Sequence, residues 1–295
     1  MDKQDWLAEQ FEAHRTRLRA VAYRMLGSAT EADDAVQDAW LRFSHAGANG
    51  VSNLGGWLTT LVARACLDLL RARASRQEQP LGVHVPDPVI SRADVTDPEH
   101  QALLAEGVGL ALLVVLDTLT PAERLAFVLH DMFAVPYDQI AAIVDRSPNA
   151  ARLLASRARR RVQGAAAVPD ADLAGQRKAV EAFFAASRTG DLGALVALLD
   201  PDVVVRADLG AAPAGASRQL RGAAAVAQQA VMFARLAPFV RPALVNGTAG
   251  AIVAPGGKAT TIMAFTVRNS KITEIDILAD PTRLRQLDRY LPHSR

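Results

Sequence analysis

The sequence predicts a multidomain fold with two all-α helical domains, the second containing a helix-turn-helix, followed by an α+β domain. Apolar residues recur with the 3.6-residue helical period up to about residue 76, and again from about 102 to 162. A segment with four prolines, residues 80–98, separates these two helical regions. After residue 176, helical segments come first and strands broken by turns come afterwards, which favours an α+β domain with an antiparallel sheet.

These observations give the predicted boundaries. The first helical domain takes residues 1–78, a Pro-rich linker 79–101, the helix-turn-helix domain 102–165, a short second linker 166–175, and the α+β domain 176–295. Because the first linker has four prolines and no helical period, we expect it to be extended with few internal contacts.

The composition is that of a globular protein in a reducing compartment. Of the 295 residues, 50% are hydrophobic and 22% are charged, which argues against extensive disorder. The longest strongly apolar stretch, Gly107 to Leu116, is about half of what a bilayer crossing needs. The beginning of the chain has no signal-peptide pattern, and the single cysteine, Cys66, excludes an internal disulfide. We therefore predict a cytoplasmic protein with no membrane partner.

The first domain is predicted to contain three helices. The second of them has a clear apolar stripe that includes Ala32, Ala35 and Ala39, and the third extends from about Gly56 to Arg73. Residues 31–38 carry four acids and no base. Such a local excess of one charge indicates a partner surface or a solvated helix face.

The most informative stretch lies between residues 116 and 163. Thr120 and Glu123 have the spacing of a capping box, with a proline between them at the first helical position. A short helix begins at Pro136, residues 145–146 form a turn, and Ser147 followed by Pro148 begins a last helix. Two helices joined by a tight turn match the helix-turn-helix plan.

The last helix of this pair separates into faces. One stripe is apolar and consists of Ala151, Leu154, Ala155, Ala158 and Val162. Another is polar and consists of Asn149, Arg152, Ser156, Arg159 and Gln163. Residues 146–163 include six arginines and no acid. Arginine and asparagine reach guanine and adenine edges, so the polar stripe predicts base reading; a solvated helix in an ordinary bundle is the alternative.

Residues 116–162 resemble the C-terminal DNA-binding domain of the extracytoplasmic-function sigma factors, which belong to the sigma-70 family. In the first domain, EADDAVQDAWLRF resembles the family's helix that binds the polymerase clamp. GGWLTTLVARACLDLLRARASR resembles its helix that melts and reads the minus-ten promoter element. Two positions depart from the family: Asp145 stands where glycine commonly ends the first helix, and Arg64 stands where many relatives carry an asparagine.

The resemblance and the residue types together give candidate sites. The predicted DNA-binding residues are Trp57, Arg64, Arg71, Arg73, Arg76, Ser147, Asn149, Arg152, Ser156, Arg157, Arg159, Arg160 and Arg161. The predicted polymerase-binding residues are Asp33, Asp34, Gln37, Asp38 and Arg42. Trp57 would stack on a flipped base, although a plain core aromatic explains it equally well. Arg157, Arg160 and Arg161 are better placed for phosphates than for bases.

The last 120 residues or so resemble the SnoaL-like domain, an α+β cone with an internal cavity that a subgroup of these sigma factors carries. ADPTRLRQL resembles that subgroup's late motif, so we expect Asp280, Pro281 and Leu284 to make a regulatory contact, with the Pro-rich linker as candidate partner. Asp208, Glu274 and Asp276 are the candidate acids of an enzyme reading. Glu274 and Asp276 lie two apart on a strand and are expected to face solvent. The sequence has no metal-ligand cluster and no phosphate-binding loop.

The sequence therefore predicts a sigma factor without catalytic activity or cofactor. Its expected partners are RNA polymerase core, promoter DNA and an unidentified small ligand of the C-terminal domain. The fused C-terminal domain itself would regulate the factor. One alternative is a helix-turn-helix regulator acting without polymerase, which has no need of the acidic helix 31–42. The other is a cavity enzyme fused to a DNA-binding tether, which needs an acid-base pair inside the cone.

Overall fold

The computed structural model describes residues 3–46, 53–75, 83–91, 109–165, 169–210 and 218–287. The chain divides into two compact units. The first comprises residues 1–79, 101–106 and 115–165, and the second comprises residues 80–100, 107–114 and 166–295. No helix in the described ranges is both long and apolar enough to cross a membrane.

The first unit begins with three packed helices. They are α1 (Lys3–Leu26), α2 (Ala29–Ala46) and α3 (Leu54–Ser75). Gly27 lies between α1 and α2 with a φ of 71°, and its N–H donates to the carbonyl of Tyr23. A left-handed residue after a helix is a position that glycine occupies without steric cost, which explains the sharp reversal here.

The rest of the first unit is also helical. Its elements are α4 (Leu110–Asp117, of which 110–114 belong to the second unit), α5 (Pro121–Phe127), α6 (Tyr137–Val144) and α7 (Pro148–Ala165). Five π-helical residues, Val128–Met132, continue α5. The capping box at the start of α5 is complete, because Thr120 and Glu123 each accept from the other's backbone N–H. This confirms the helix start that the sequence predicts.

Besides residues 110–114 of α4, the described part of the second unit contains four α-helices. They are α8 (Leu173–Thr189), α9 (Leu192–Leu198), α10 (Ala223–Met232) and α11 (Pro281–Leu287), with a 3-10 helix at Ala234–Phe239. Asp172 and Asp191 cap α8 and α9 by accepting from backbone N–H groups. Phe183 of α8 packs against Phe265 of the sheet, with ring centroids 5.5 Å apart.

A seven-stranded sheet forms the other layer of this unit. Its strands are β1 (Ile90–Ser91), β2 (Leu199–Asp208), β3 (Arg218–Arg221), β4 (Val240–Val245), β5 (Thr248–Val253), β6 (Thr261–Arg268) and β7 (Lys271–Leu278). The order is β1-β4-β5-β6-β7-β2-β3. The expected turns at Asn246-Gly247 and Asn269-Ser270 join antiparallel neighbours, and all four residues have positive φ.

Two features of the sheet correct the sequence-based expectation. The sheet is not wholly antiparallel, because β2 and β7 pair in parallel. The Pro-rich linker also contributes to the sheet: β1 pairs with β4, and residues 85–90 are buried. Residues 83–91, the described part of the linker, are packed onto the C-terminal domain rather than free.

Candidate nucleic-acid interface

The turn between α6 and α7 positions the candidate recognition helix. Asp145 ends α6 in the left-handed conformation, with φ 56° and ψ 56°. The N–H of Arg146 then donates to the carbonyl of Ala141 at 3.0 Å, which is the six-to-one bond of a Schellman ending. Ser147 begins α7 by accepting from the N–H of Ala150 at 3.2 Å. The aspartate therefore keeps the turn that glycine would make, at some steric cost.

The predicted faces of α7 are present in the structure. Ala151, Ala155 and Ala158 are fully buried, which fixes the side that packs on α5 and α6. On the polar side, Asn149 and Arg152 are exposed and Ser156 is half-buried. The guanidinium of Arg152 lies over the ring of Tyr137, 5.3 Å from its centroid. This contact holds the start of the polar stripe to α6 while leaving it open to solvent.

The arginines of α7 differ in what they already contact. Arg159 donates to Asp131 at 2.7 Å, and this hydrogen bond raises its pKa further above the ordinary value. Arg161 donates to Glu123 at 3.0 Å. Arg157 and Arg160 are exposed and make no ion pair within the described residues. The candidate arginines of α7 thus include two held by acids of the same unit, and three, with Arg152, that are exposed and have no acidic partner within the described residues.

The candidate polymerase-binding residues lie on one side of α2. Asp34, Gln37, Asp38 and Arg42 are exposed, whereas the opposite side, which includes Ala32, is buried. Asp38 accepts from Arg42 at 2.8 Å. Asp33 differs from the others, because it accepts from Arg19 of α1 at 2.6 Å and so links α2 to its neighbour.

The candidate residues of α3 are dispersed along the helix. Trp57 is half-buried and its ring meets Phe43 edge-on, with 5.8 Å between centroids. Arg64 is exposed and donates to the carbonyl of Ala142 in α6 at 3.2 Å. Arg71 is exposed 4.0 Å from Asp68, and Arg73 forms an ion pair with Glu31. Arg76 lies outside the described residues.

The first unit also contains buried arginines that the sequence reading does not single out. Arg124 of α5 donates to the carbonyl of Arg24 in α1 at 3.1 and 3.2 Å, and forms an ion pair with Asp117. The Arg24 guanidinium lies over Phe133 at 5.0 Å from the ring centroid. Both arginines are nearly inaccessible to solvent. These contacts join the first three helices to the helix-turn-helix segment within one unit.

Comparison with known proteins places this architecture in a family. The model of sigma-70 region 2 matches residues 10–76, and that of sigma-70 region 4 matches residues 109–162. The ECF RNA polymerase sigma factor SigJ of Mycobacterium tuberculosis is 40% identical over 288 residues, covering 93% of this chain and 92% of SigJ. A probable ECF RNA polymerase sigma factor of the same species, SigI, is 31% identical over 296 residues, covering 97% of this chain and 98% of SigI. This chain belongs to the extracytoplasmic-function sigma factors.

The solved structure of a relative agrees with the fold of this sigma factor. The crystal structure of Mycobacterium tuberculosis SigJ matches with a TM-score of 0.79 and 36% sequence identity, over 97% of this chain and all of that one. The match confirms the predicted fold class, in which two helical sigma domains precede an α+β domain. The region 2 match spans α1 to α3, and the region 4 match spans α4 to α7 except its end.

The C-terminal domain of the sigma factor encloses a cavity of about 610 Å³ between its sheet and its helices. Val205 and Ala207 of β2, and Ile275 and Ile277 of β7, line it. Side chains alternate along a strand, so Arg206, Asp208, Glu274 and Asp276 project from the other face of the sheet. The candidate acids of the enzyme hypothesis are therefore outside the cavity.

The expectation that Glu274 and Asp276 face solvent is wrong. Both are buried, at 8% and 2% exposure, and both accept from Arg206, at 2.7 and 3.0 Å. Burial raises the pKa of Asp276 to about 6, although Arg206 acts in the opposite direction. The two carboxylates are explained by this buried ion cluster, in which one guanidinium serves both.

The described part of the linker is held by a clasp that the sequence reading did not find. We use this name for Arg283 of α11 with its partners Asp87, Val85 and Asp208. Arg283 donates to Asp87 at 2.8 Å, to the carbonyl of Val85 at 2.7 Å, and to Asp208 at 2.8 Å. The N–H of Val85 donates back to Asp208 at 3.0 Å. Burial alone would raise the pKa of Asp208, but the hydrogen bonds from His84, Val85 and Gly210, with the charge of Arg283, hold it below its ordinary value.

The residues predicted to make the regulatory contact lie beside this clasp and not in it. Asp280 accepts from the N–H groups of Thr282 and Arg283 and so begins the helix that carries Arg283. Leu284 is buried in the domain, and Pro281 is exposed. The late motif therefore marks the helix that reaches the linker, while the contact itself is made by its arginine.

Proposed function

We propose that this sigma factor directs RNA polymerase core to specific promoters and helps to open the DNA, and that it catalyses no reaction itself. The observation that carries the proposal is the presence, in one chain, of matches to both sigma-70 region 2 and region 4. A helix-turn-helix regulator acting without polymerase has no need of the first match. We place the protein in the cytoplasm, because bacterial transcription takes place in that compartment.

In this proposal α7 contacts promoter DNA. Asn149, Arg152 and Ser156 read base edges, since they form a polar stripe that begins at a helix N-terminus, with Asn149 and Arg152 exposed and Ser156 half-buried. Arg157 and Arg160 meet phosphates, because they are exposed and pair with no acid among the residues that the structure describes. Arg159 and Arg161 contribute only after they release Asp131 and Glu123.

The exposed side of α2 meets the polymerase. Asp34 and Asp38 carry two negative charges on an exposed face whose opposite side is buried, so they can meet a basic surface of the partner, Asp38 by exchanging its exposed ion pair with Arg42. Asp33 supports the fold instead, through its hydrogen bonds to Arg19. Trp57 and Arg64 belong to the α3 surface that would meet the minus-ten element.

The C-terminal domain regulates the factor through the clasp. The linker joins the two DNA-binding segments in sequence, so the domain that holds residues 83–91 limits the positions those segments can take. A small ligand that binds in the cavity is the proposed signal that controls this regulation. An enzymatic role is not supported, because the carboxylates of the sheet project away from the cavity and pair with Arg206 and Arg283.

Run-off transcription tests the main proposal. Purified full-length protein is mixed with core RNA polymerase and a set of genomic promoter fragments, and core enzyme alone serves as the control. We expect transcripts with discrete start sites on a subset of fragments only with the factor present. Transcripts absent from every fragment, while the protein still binds promoter DNA, would leave the helix-turn-helix regulator as the better account.

A further inference from the structure

The cavity of the C-terminal domain has the size of a small-molecule site. Its volume of about 610 Å³ falls within the range of about 300 to 1,000 Å³ in which proteins enclose drug-sized ligands. Aromatic side chains contribute to its wall: Phe183 and Phe184 come from α8, and Phe233 directly follows α10. Across from them lie the aliphatic side chains of β2 and β7.

Such a lining is poorly suited to water. A water molecule needs two to four polar partners to be held, and the inner wall offers apolar groups instead. Ser187, one of the polar side chains of the lining, already donates to the carbonyl of Ala230 at 2.8 Å. An unfilled cavity of this kind forfeits the dispersion contacts that an apolar ligand would restore. The wall therefore favours an apolar molecular body.

Besides Ser187 of α8 and Thr261 of β6, the polar residues of the lining belong to β3 and the neighbouring α10. Arg218 lies on β3, the end strand of the sheet, where it is exposed and opposite Ala207 of the cavity wall. Gln229 is half-buried on α10, which packs against β3. Arg218 is the charged residue of the described lining, which contains no acid, and it makes no ion pair within the described part of the chain. The open side of the cavity therefore favours an anionic group.

We propose that this cavity binds a small amphiphile with an apolar body and a single anionic head, the body lying among the aromatic residues and the head meeting Arg218 and Gln229. A medium-chain carboxylate has this chemistry. The proposal names the ligand class of the regulatory domain, so its biological meaning rests on the proposed function. Binding itself can be measured without polymerase.

The test is a fluorescence titration of the full chain with 1-anilinonaphthalene-8-sulfonate, which has an aromatic body and one sulfonate. We expect saturable binding at one site and displacement by decanoate. Decanol should displace the probe about tenfold less well, because it lacks the charge that a hydrogen bond from Arg218 would recognise. Absence of saturable binding, or equal displacement by the acid and the alcohol, would overturn the proposal.

Two matched pairs of variants locate the site. Ala230→Trp fills the cavity and should weaken binding about tenfold or more, whereas Ala224→Trp, on the exposed side of the same helix, should not. Arg218→Gln should abolish the preference for decanoate over decanol, while Arg268→Gln, at the exposed end of β6, should retain it. The thermal unfolding of each variant is compared with that of the parent. If Ala230→Trp proves unstable, the result for Arg218→Gln decides the test.

The outcomes separate this proposal from the function of the protein. A protein that initiates transcription but shows no saturable probe binding would contradict only the ligand site. A protein that binds decanoate through Arg218 but supports no initiation would contradict only the sigma factor role. Unchanged probe binding in both Ala230→Trp and Arg218→Gln would place the probe elsewhere and overturn the proposal.

Discussion

Among single residues, the arginines of α7 differ most in what they are free to do. Arg159 and Arg161 are already paired with Asp131 and Glu123, whereas Arg152 and Arg160 are exposed, and Arg152 contacts uncharged groups, the Tyr137 ring and the Asn149 side chain. A paired arginine must exchange one anionic partner for another when DNA binds, so its net contribution to the free energy of DNA binding is small. An exposed arginine exchanges only water and condensed ions. We therefore expect unequal effects from neighbouring substitutions.

Arg152→Ala should weaken promoter binding at one or two base pairs by about 1–3 kcal/mol, because it removes a base contact. Arg160→Ala should weaken all sequences equally and reduce the slope of log affinity against log salt by about one. Binding of promoter fragments with single base-pair changes, measured over a range of salt, distinguishes the two. If both variants alter only the salt slope, the assignment of the polar stripe to base reading is wrong. Arg188→Ala, in the C-terminal domain, is the control.

Asp145 gives a prediction for stability. It adopts φ 56°, a conformation that costs a residue with a side chain roughly 1 kcal/mol or more relative to glycine. Asp145→Gly should therefore raise the free energy of unfolding by about 1 kcal/mol in denaturant titration and leave the DNA affinity unchanged. Asp138→Gly is the matched control: it lies in α6 with helical geometry and should lower stability, by a few tenths of a kcal/mol. If both variants changed the free energy of unfolding in the same direction, the strain assigned to Asp145 would be contradicted.

At the level of secondary structure elements, α2 carries a surface that its own domain does not use. Its apolar side is buried, and Asp34 and Asp38 lie opposite, where Asp38 forms an exposed ion pair with Arg42. An exposed pair at this spacing stabilises a helix by only a few tenths of a kcal/mol, so the acids have little structural role. Their removal should therefore affect partner binding more than folding.

The double variant Asp34→Lys/Asp38→Lys should lose association with core polymerase, because each lysine would repel the basic surface that the acids meet. The control is Glu9→Lys/Glu12→Lys on α1, which changes the net charge equally at another exposed site. Co-purification with core enzyme and thermal unfolding are measured for both. Retention of polymerase by the first variant would remove the strongest argument against a regulator that acts alone.

Local elements could be predicted well from the sequence. The capping box at Thr120, the turn before Ser147 and the hairpin turns at Asn246 and Asn269 each depend on a few adjacent residues, and the structure has them all. Alternation along β7 also predicts correctly that Glu274 and Asp276 share a face. The alternation does not tell which face of the sheet is covered, and the Glu274 and Asp276 carboxylates proved to be buried with Arg206.

Non-local pairings were outside the reach of a single sequence. The parallel pairing of β2 with β7 joins strands about 70 residues apart, and nothing in either strand specifies its partner. The clasp depends on Arg283 and Asp87 meeting across nearly 200 residues. A lone aspartate in a Pro-rich segment gives no signal of such a contact.

For the whole molecule, the linker has a structural role as well as a connecting one. Val85, Val89 and Ile90 are buried, and the backbone of residues 85–91 bonds to Asp208, Asn246 and β4. The C-terminal domain therefore occupies part of the chain that joins the two DNA-binding segments. Its attachment by the short segment 166–175 keeps it at an effective concentration in about the millimolar range, so even a modest contact stays formed.

The clasp provides the test of regulation by the C-terminal domain. Arg283 is only 17% exposed and binds two carboxylates and a carbonyl, and charge-assisted hydrogen bonds of this kind are worth about 1.5–3 kcal/mol each. Arg283→Ala/Asp87→Ala should therefore release residues 83–91 and change run-off transcription at least severalfold. Lower activity means that the domain holds an active geometry, and higher activity means that it masks a DNA-contacting surface. Arg285→Ala, an exposed arginine on the same helix, is the matched control.

Two further variants separate the clasp from the domain that carries it. Truncation after Gly175 removes the whole domain and should change transcription in the same direction as the clasp variant, because both free the linker. Asp280→Ala/Leu284→Ala removes a helix cap and a buried side chain, so it should act through loss of α11, visible as a lower melting temperature. Transcription equal to that of the parent in the clasp variant and in the truncation, at every promoter tried, would mean that the domain is an independent appendage, and regulation through the linker would then be excluded.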